Sequence, residues 1–463
     1  MAQVDLFDNI NPIDYRYYGR NRAQPELAKY FSENARIKYQ LKVELELVRT
    51  LAKAGICSDK VAEEVGKAVE KVTAEEVYAE EDRIKHDVRA LANMIREKVS
   101  DEAKQFVHFG STSYDRVDPS NALRAKDAVQ KILVPKLKEF EEILIDLALR
   151  EKATVQIGRT HGQHAVPITF GFAIAEYVSR LGNRIKSIED AAENLTGKFS
   201  GATGTYNATS LILDDPIEFE KELITSLGLK VSVSSNQIVE PESMLDLFHA
   251  ITSCFGVLAN YSDDMRHLQR SEINEIAEAF GKDQVGSSTM PHKRNPINFE
   301  NVKSFWKVYA PRMITNYMDQ ISEHQRDLTN SASARFNPET IIALYLSAQR
   351  LIRISKNLVV DTESMQKKFE KNKKFIAAEP LYILLAKYNH PDAHEVVRQM
   401  TLEMQKKDTD LVGLINADPG LKEYFAKFSE EEKAIISNPE NYLGKAVEKT
   451  ENICSHWKKE LQL

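Results

Sequence analysis

The chain has only three cysteines, Cys57, Cys254 and Cys454, far apart and without CxxC spacing. Such a set excludes a disulfide framework and a thiolate zinc site, and it reads as reduced thiols in a cytosolic protein. No apolar run approaches the roughly 18 residues that a membrane-spanning helix needs. The N-terminus, MAQVDLFDNINPIDYRYYG, lacks the basic-then-apolar order of a secretory signal, so the expected compartment is the cytoplasm. A net charge of −7 gives no reason to expect a nucleic-acid or membrane partner. Glycine (18) and proline (15) are also few. Sheets need frequent turns, so this scarcity favours long helices.

What is present agrees. With 42% hydrophobic and 28% charged residues, the 463-residue chain can bury a large core, and its length suggests roughly three domains. From Met244 the apolar positions run Leu247, Phe248, Ile251, Phe255, Leu258, Tyr261, Met265, Leu268. These are steps of three and four, one helical stripe that begins just after Pro241. Further long helices are expected over 121–150, kinked at Pro135, and over 168–196, 297–324 and 338–358. Several such stripes together predict an elongated bundle. The expected domains are a shorter mixed helical region 1–111, a central long-helix bundle 112–364 and a charged C-terminal helical region 365–463. Breaks in the last are expected at Pro380, Pro391, Pro419 and Pro439.

The polar segment 281–296 interrupts the helices and is the natural place for a functional loop. Within it, Gly286-Ser287-Ser288-Thr289-Met290-Pro291-His292-Lys293-Arg294-Asn295-Pro296 packs hydroxyls, a histidine, cations and an amide together. On residue chemistry alone this is either a solvated basic loop or a loop offering donors to an anion. Other candidates are equally open when taken singly. Thr112-Ser113 reads as a helix cap, Thr160-His161 as a structural pair, His86 as an ordinary helix residue, and Arg326 and Arg335 as solvated helix charges.

Together these blocks resemble a known family. The loop matches the GSSxMPxKxN signature of the fumarase/aspartase superfamily. Gly158-Arg159-Thr160-His161-Gly162-Gln163-His164 resembles that superfamily's second block. His108-Phe109-Gly110-Ser111-Thr112-Ser113-Tyr114-Asp115 resembles its first, with Tyr114 and Pro119 departing from the usual residues. Within the superfamily, Lys85-His86-Asp87-Val88, the N-terminal Arg16-Tyr17 and the stretch Gln325–Ser331 with Arg335 are similar to elements of the adenylosuccinate lyase family. The resemblance covers nearly the whole chain. It implies an all-α, three-domain fold with a central long-helix bundle at the core of a homotetramer, and active sites shared between subunits.

The resemblance also implies a reaction: β-elimination of fumarate from adenylosuccinate and from a succinyl-carboxamide ribotide, in purine nucleotide biosynthesis. By that analogy Ser287 is the base and His161 the acid. Histidine suits proton donation near neutral pH. Lys293 and loop N–H groups would favour the serine alkoxide and the carbanion, with His86 and Glu300 assisting, Glu300 by orienting a histidine. The succinyl part would be held by Thr112, Ser113, Thr160, Gln237 and Asn295, and Asn301 would also bind the substrate. The nucleotide side would be held by Arg16, Tyr17, Lys85, Asp87, Arg326, Ser331 and Arg335, arginine's planar fork being suited to phosphate and carboxylate. No cofactor is expected, and no metal, since the histidines lack ligand spacing. The nearest rival is 3-carboxymuconate cycloisomerase, whose loop can also read MPHKRNP; a second is a catalytically silent helical scaffold.

Overall fold

The structure, a computed structural model, describes residues 10–19, 25–281, 287–290, 292–407 and 409–463. The stripe that begins at Met244 is a helix spanning Glu242–Leu268, with Leu247, Ile251 and Leu258 fully buried. The helices Phe170–Glu193 and Asn337–Ser355 correspond to two more of the expected spans.

Prolines adjust the rest. Helical structure continues from Tyr114 to Arg150, with one π turn at Val129–Leu133 in which the Val134 N–H reaches the Val129 carbonyl. That wide turn lies directly before Pro135, whose missing N–H would otherwise break the ladder. Pro119 sits inside the helix Tyr114–Ala128 without ending it. The span 297–324 is not one helix. It runs over Ile297–Tyr309 and restarts over Arg312–Met318, because Pro311 cannot continue the hydrogen-bond ladder and serves as the N-cap of the second piece. In the C-terminal region prolines mark helix starts more than breaks: Pro419 opens the helix Pro419–Ala426, and Pro380 lies in the first turn of Ala378–Lys387.

The described residues form two compact units. The first comprises Met1–Leu137, Asn183–Gly256 and Ser304–Gln349. Its N-terminal helices Glu33–Lys53, Asp59–Val69, Ala74–Ile84 and Asp87–Arg96 enclose Val48, Val65, Ala90, Leu91 and Ile95. Ser32, Ser58 and Thr73 cap the first three, each such cap contributing about 1 kcal/mol. A second cluster joins Leu47 and Leu51 to Phe199, Phe219 and Leu223.

The second unit comprises Lys138–Gly182, Val257–Lys303 and Arg350–Leu463. Tyr261 is its hub, meeting Phe140, Tyr177 and Phe299 edge-to-face at centroid distances of 5.7, 5.3 and 6.1 Å. Its buried hydroxyl is satisfied by Ser355 Oγ at 3.0 Å. Leu381, Leu385, Leu411 and Ile415 form a separate C-terminal core.

Among the described residues the strands are three two-stranded ladders. Thr196–Gly197 pairs with Lys230–Val231 in parallel, and Ile276–Ala277 with Val359–Val360 antiparallel. The longest is the antiparallel hairpin of Val155–Thr160 and Gln163–Thr169, a local departure from the all-helical expectation.

Candidate active site

That hairpin carries the second block. Its loop is His161-Gly162 alone, with φ of +54° and +73°, and Thr160 pairs with Gln163 across it. Two consecutive left-handed residues define a tight turn whose twist matches the strands. Glycine reaches this conformation freely, and histidine more readily than most side chains. His161 is thereby held at the exposed tip, beside exposed Thr160. The stem is anchored by Glu275, which is fully buried. Its carboxylate accepts from Gln156 Nε2 at 2.7 Å and from both terminal nitrogens of Arg159, Nη1 at 3.2 Å. Ile157 packs on Phe369 and Ile376 of the helix Thr362–Ile376. Beside the tip, His164 contacts Asn372, and burial together with Arg159 lowers its pKa.

The signature loop lies in the same unit. Gly286 and Pro291 fall outside the described residues. Ser287 is half-buried, and its Oγ accepts the backbone N–H groups of Thr289 at 3.3 Å and Met290 at 3.1 Å. Donation of two N–H groups to one oxygen favours its anionic form. Lys293 is exposed, and its N–H closes a turn onto the Met290 carbonyl at 3.0 Å. The loop ends on the helix Ile297–Tyr309, whose first turn is tied down by buried Glu278. That carboxylate accepts from Asn298 N at 2.9 Å and Phe299 N at 3.0 Å, a favourable place for negative charge. Glu300 is exposed on this helix; Asn295 and Asn301 are half-buried.

The first block belongs to the other unit. Ser113 is the N-cap of the helix Tyr114–Ala128, yet its hydroxyl makes no capping bond. The cap-like role falls to Asp115, whose Oδ2 accepts the Thr112 N–H at 2.8 Å. Asp118, one turn on, accepts the Val239 N–H at 2.9 Å and so holds the segment of Gln237. Burial pushes the Asp118 carboxyl up to about 7, against the pull of that N–H and of Lys198. The Gln237 side-chain oxygen is buried and has no hydrogen-bond partner among the described residues. A buried acceptor left unmade is costly unless a ligand supplies the donor. Tyr114 is half-buried next to the pair. Burial first, then Asp118 and Asp87, push its phenol up to about 12, while Arg335 opposes them. The unusual tyrosine therefore shares its surroundings with two expected nucleotide-side residues, Asp87 and Arg335.

The remaining expected residues also lie in this unit. Lys85 ends the helix Ala74–Ile84 with φ of +59°, and His86 N-caps Asp87–Arg96 through Nδ1, which accepts the Arg89 N–H at 3.2 Å. His86 is thus a capping residue, not a helix-interior one, with its Nε2 edge unused by the cap. Tyr17 stacks on Phe305 at 4.7 Å, leaving Arg16 exposed. Arg335 and Ser331 are exposed. Arg326 is not a free charge: Nη1 donates to the Gln320 carbonyl at 3.1 Å, Nη2 to that of Asp319 at 3.5 Å, and Nε is buried with no partner among the described residues. A cavity of about 140 Å³ opens beside this stretch, walled by Asp118, Asn121, Asp319, Asn330 and Asn337. Among the described residues no three His, Cys, Asp or Glu side chains gather as metal ligands, and no helix is long and apolar enough to cross a membrane.

Residues 19–307 match a family described as lyase, and residues 322–441 one described as the adenylosuccinate lyase C-terminal family. The chain is 34% identical over 449 residues to the adenylosuccinate lyase of Archaeoglobus fulgidus, covering 96% of this chain and 98% of that enzyme. With the adenylosuccinate lyase of Aquifex aeolicus the identity is 33% over 416 residues, 89% of this chain and 93% of that one. Among solved structures, a fumarate lyase from Mesorhizobium superposes with a TM-score of 0.81 at 21% identity, covering 95% of this chain and 99% of that one. A 3-carboxy-cis,cis-muconate lactonizing enzyme from Pseudomonas putida gives 0.80 at 22%, covering 95% and 98%. The likeness to these two speaks for the fold, whereas full-length identity separates the chain from the cycloisomerase rival. The chain therefore belongs to the adenylosuccinate lyases, enzymes of the all-α fumarase/aspartase fold.

Proposed function

We propose that the chain cleaves adenylosuccinate to AMP and fumarate, and succinyl-aminoimidazole carboxamide ribotide to the carboxamide ribotide and fumarate, in purine nucleotide biosynthesis. The reaction is a β-elimination. Ser287 Oγ takes the proton from the carbon next to one carboxylate, the C–N bond breaks, and His161 protonates the departing nitrogen. The observation that carries this reading is the pair of backbone N–H groups on Ser287 Oγ. A serine hydroxyl is a weak base in water, and fixed donors aimed at its oxygen lower the cost of the alkoxide. Lys293 adds positive potential for the carbanion, whose charge spreads into the carboxylate. His161, on the hairpin tip, can reach a substrate without deforming its strands. His86 and Glu300 assist, Glu300 by orienting a histidine.

Thr112, Ser113, Thr160, Gln237 and Asn295 hold the succinyl part, and Asn301 also binds the substrate. The uncommitted Ser113 hydroxyl and the orphaned Gln237 oxygen support that assignment. Arg16, Tyr17, Lys85, Asp87, Ser331 and Arg335 hold the nucleotide, with Arg326 shaping their stretch and supplying its free Nε–H. We further place the enzyme in the cytoplasm as a homotetramer with three domains, 1–111, 112–364 and 365–463, and shared active sites. Two separate terminal cores support the three-part division, and exposed Ile314, Met318 and Ile321 support assembly. The test is to add adenylosuccinate to purified protein in the presence of a chelator. AMP and fumarate should appear in equal amounts; no turnover, or turnover that the chelator abolishes, overturns the reading.

A further inference from the structure

Asp115 and Lys198 are both charged residue types, yet they are 1% and 0% exposed and in direct contact. Taking two charges out of water costs more than their attraction commonly returns, so a buried pair is weak evidence for stability and calls for another reason. Its bonding supplies one. Asp115 Oδ2 accepts the Thr112 N–H at 2.8 Å. Oδ1 accepts Lys198 Nζ together with the N–H groups of Ser200 at 3.2 Å and Gly201 at 3.3 Å. Lys198 Nζ also donates to the Gly201 carbonyl at 3.1 Å.

The clamp reaches a second element. Ser200 Oγ bonds Ser235 Oγ at 2.6 Å. At Gly204, φ +76°, a Cβ would stand 1.9 Å from the Ser235 carbonyl oxygen, so the two loops meet backbone to backbone. Two residues beyond Ser235 lies Gln237, with its partnerless buried oxygen. One carboxylate thus fixes Thr112 directly and the Gln237 loop through Ser200.

We infer that Asp115 and Lys198 are a positioning pair that sets the Thr112–Ser113 and Gln237 elements for the dicarboxylate end of the substrate. The inference rests on the reading that those elements hold the succinyl part. Charge explains why a pair is used. A carboxylate is the acceptor able to gather four donors, but alone it would repel an anionic substrate. Lys198 neutralises it from the buried side and leaves the donors in place.

Fumarate and AMP as product inhibitors separate the two ends of the site, since only fumarate carries carboxylates. Asn at 115 has one acceptor oxygen and cannot serve both Thr112 and the 198–201 segment. In Asp115→Asn with Lys198→Met no charge is left unpaired, so the protein should still fold, with a melting temperature lowered only by the N–H groups that lose their acceptor. Fumarate inhibition should weaken about tenfold to hundredfold, as expected for misplaced hydrogen bonds to a charged group, while AMP inhibition stays within about twofold. Asp115→Glu keeps the charge pair and displaces Thr112, and should show the same selective loss if the double variant does not fold. Unchanged fumarate inhibition in a folded variant overturns the inference, as does equal weakening of both inhibitors. Ser113→Ala distinguishes the two levels. If it too leaves fumarate inhibition unchanged, the carboxylate-grip reading fails and the pair's role with it; if it weakens fumarate while the Asp115 variants do not, the pair alone is refuted.

Discussion

Glu141 lies in the helix Val134–Arg150, is 0% exposed, and neither carboxyl oxygen has a hydrogen-bond partner among the described residues. Burial lifts its pKa well above the ordinary 4.5, and its charged form helps to raise the Cys454 thiol to about 11, after the larger effect of that thiol's own burial. A buried polar group with unmade hydrogen bonds costs about 1–3 kcal/mol, and Glu141→Met removes it at similar side-chain length. The variant should therefore be more stable by about that amount. With an unfolding entropy of about 2.1 cal/mol/K per residue over the 463-residue chain, each kcal/mol raises Tm by about 1 °C, so a rise of about 1–3 °C is expected. The pH dependence has a fixed sign. Above the ordinary 4.5 the unfolded chain has released a proton that the folded chain still holds. Stability from this group is complete below that value and falls by up to about 1.4 kcal/mol per pH unit until the folded pKa is passed. Glu141→Met lacks this loss. Thermal melts of both proteins at one concentration, at about pH 5 and about pH 8, should show a gap that widens with pH. A variant that melts below wild type, or a gap that narrows, refutes the reasoning.

Arg335→Ala should raise KM for adenylosuccinate about tenfold or more with little change in Tm, because an exposed charge-assisted contact is lost; an unchanged KM would remove Arg335 from the phosphate contacts. Arg326→Ala should lower Tm as well, since its guanidinium ties down the Asp319 and Gln320 carbonyls; a KM effect without a Tm change would contradict that. Subunit sharing of the sites can be tested with His161→Ala and Ser287→Ala enzymes, each of which should keep only a small residual activity alone. Gently unfolded and reassembled together, they should recover roughly a quarter of wild-type sites if the two residues reach one site from different chains. Mixed oligomers without recovered activity would place both residues in one chain.

The long helices were legible because the stripe that begins at Met244 repeats in steps of three and four. The helix break at Pro311 was legible in principle, but the apolar pattern runs on through it and a single helix was the simpler reading. The His161 hairpin is not legible in the sequence, because Pro167 lies within its second strand and its turn is His-Gly instead of the common Asn-Gly. Asp115 left a local signal, an acidic residue three places after Thr112, the spacing of a capping pair. Lys198 and Glu275 left none. Their partners lie 83 and 116 to 119 residues away in sequence, and one lysine or glutamate among many carries no mark of burial. The hydroxyls and the histidine of the blocks could be named from the family pattern, but their supports are visible only in three dimensions.

The central claim is that Ser287 and His161 perform proton transfer and are not primarily binding groups. The measurement that tests it most directly is turnover of adenylosuccinate by Ser287→Ala and His161→Ala, each paired with the substrate's dissociation constant for the same protein. General acid–base groups contribute about 10²–10⁴-fold, so kcat should fall by about that factor or more in each variant while binding stays within about threefold of wild type. Variants that keep wild-type turnover, or that lose activity only in proportion to weakened binding, would contradict the account.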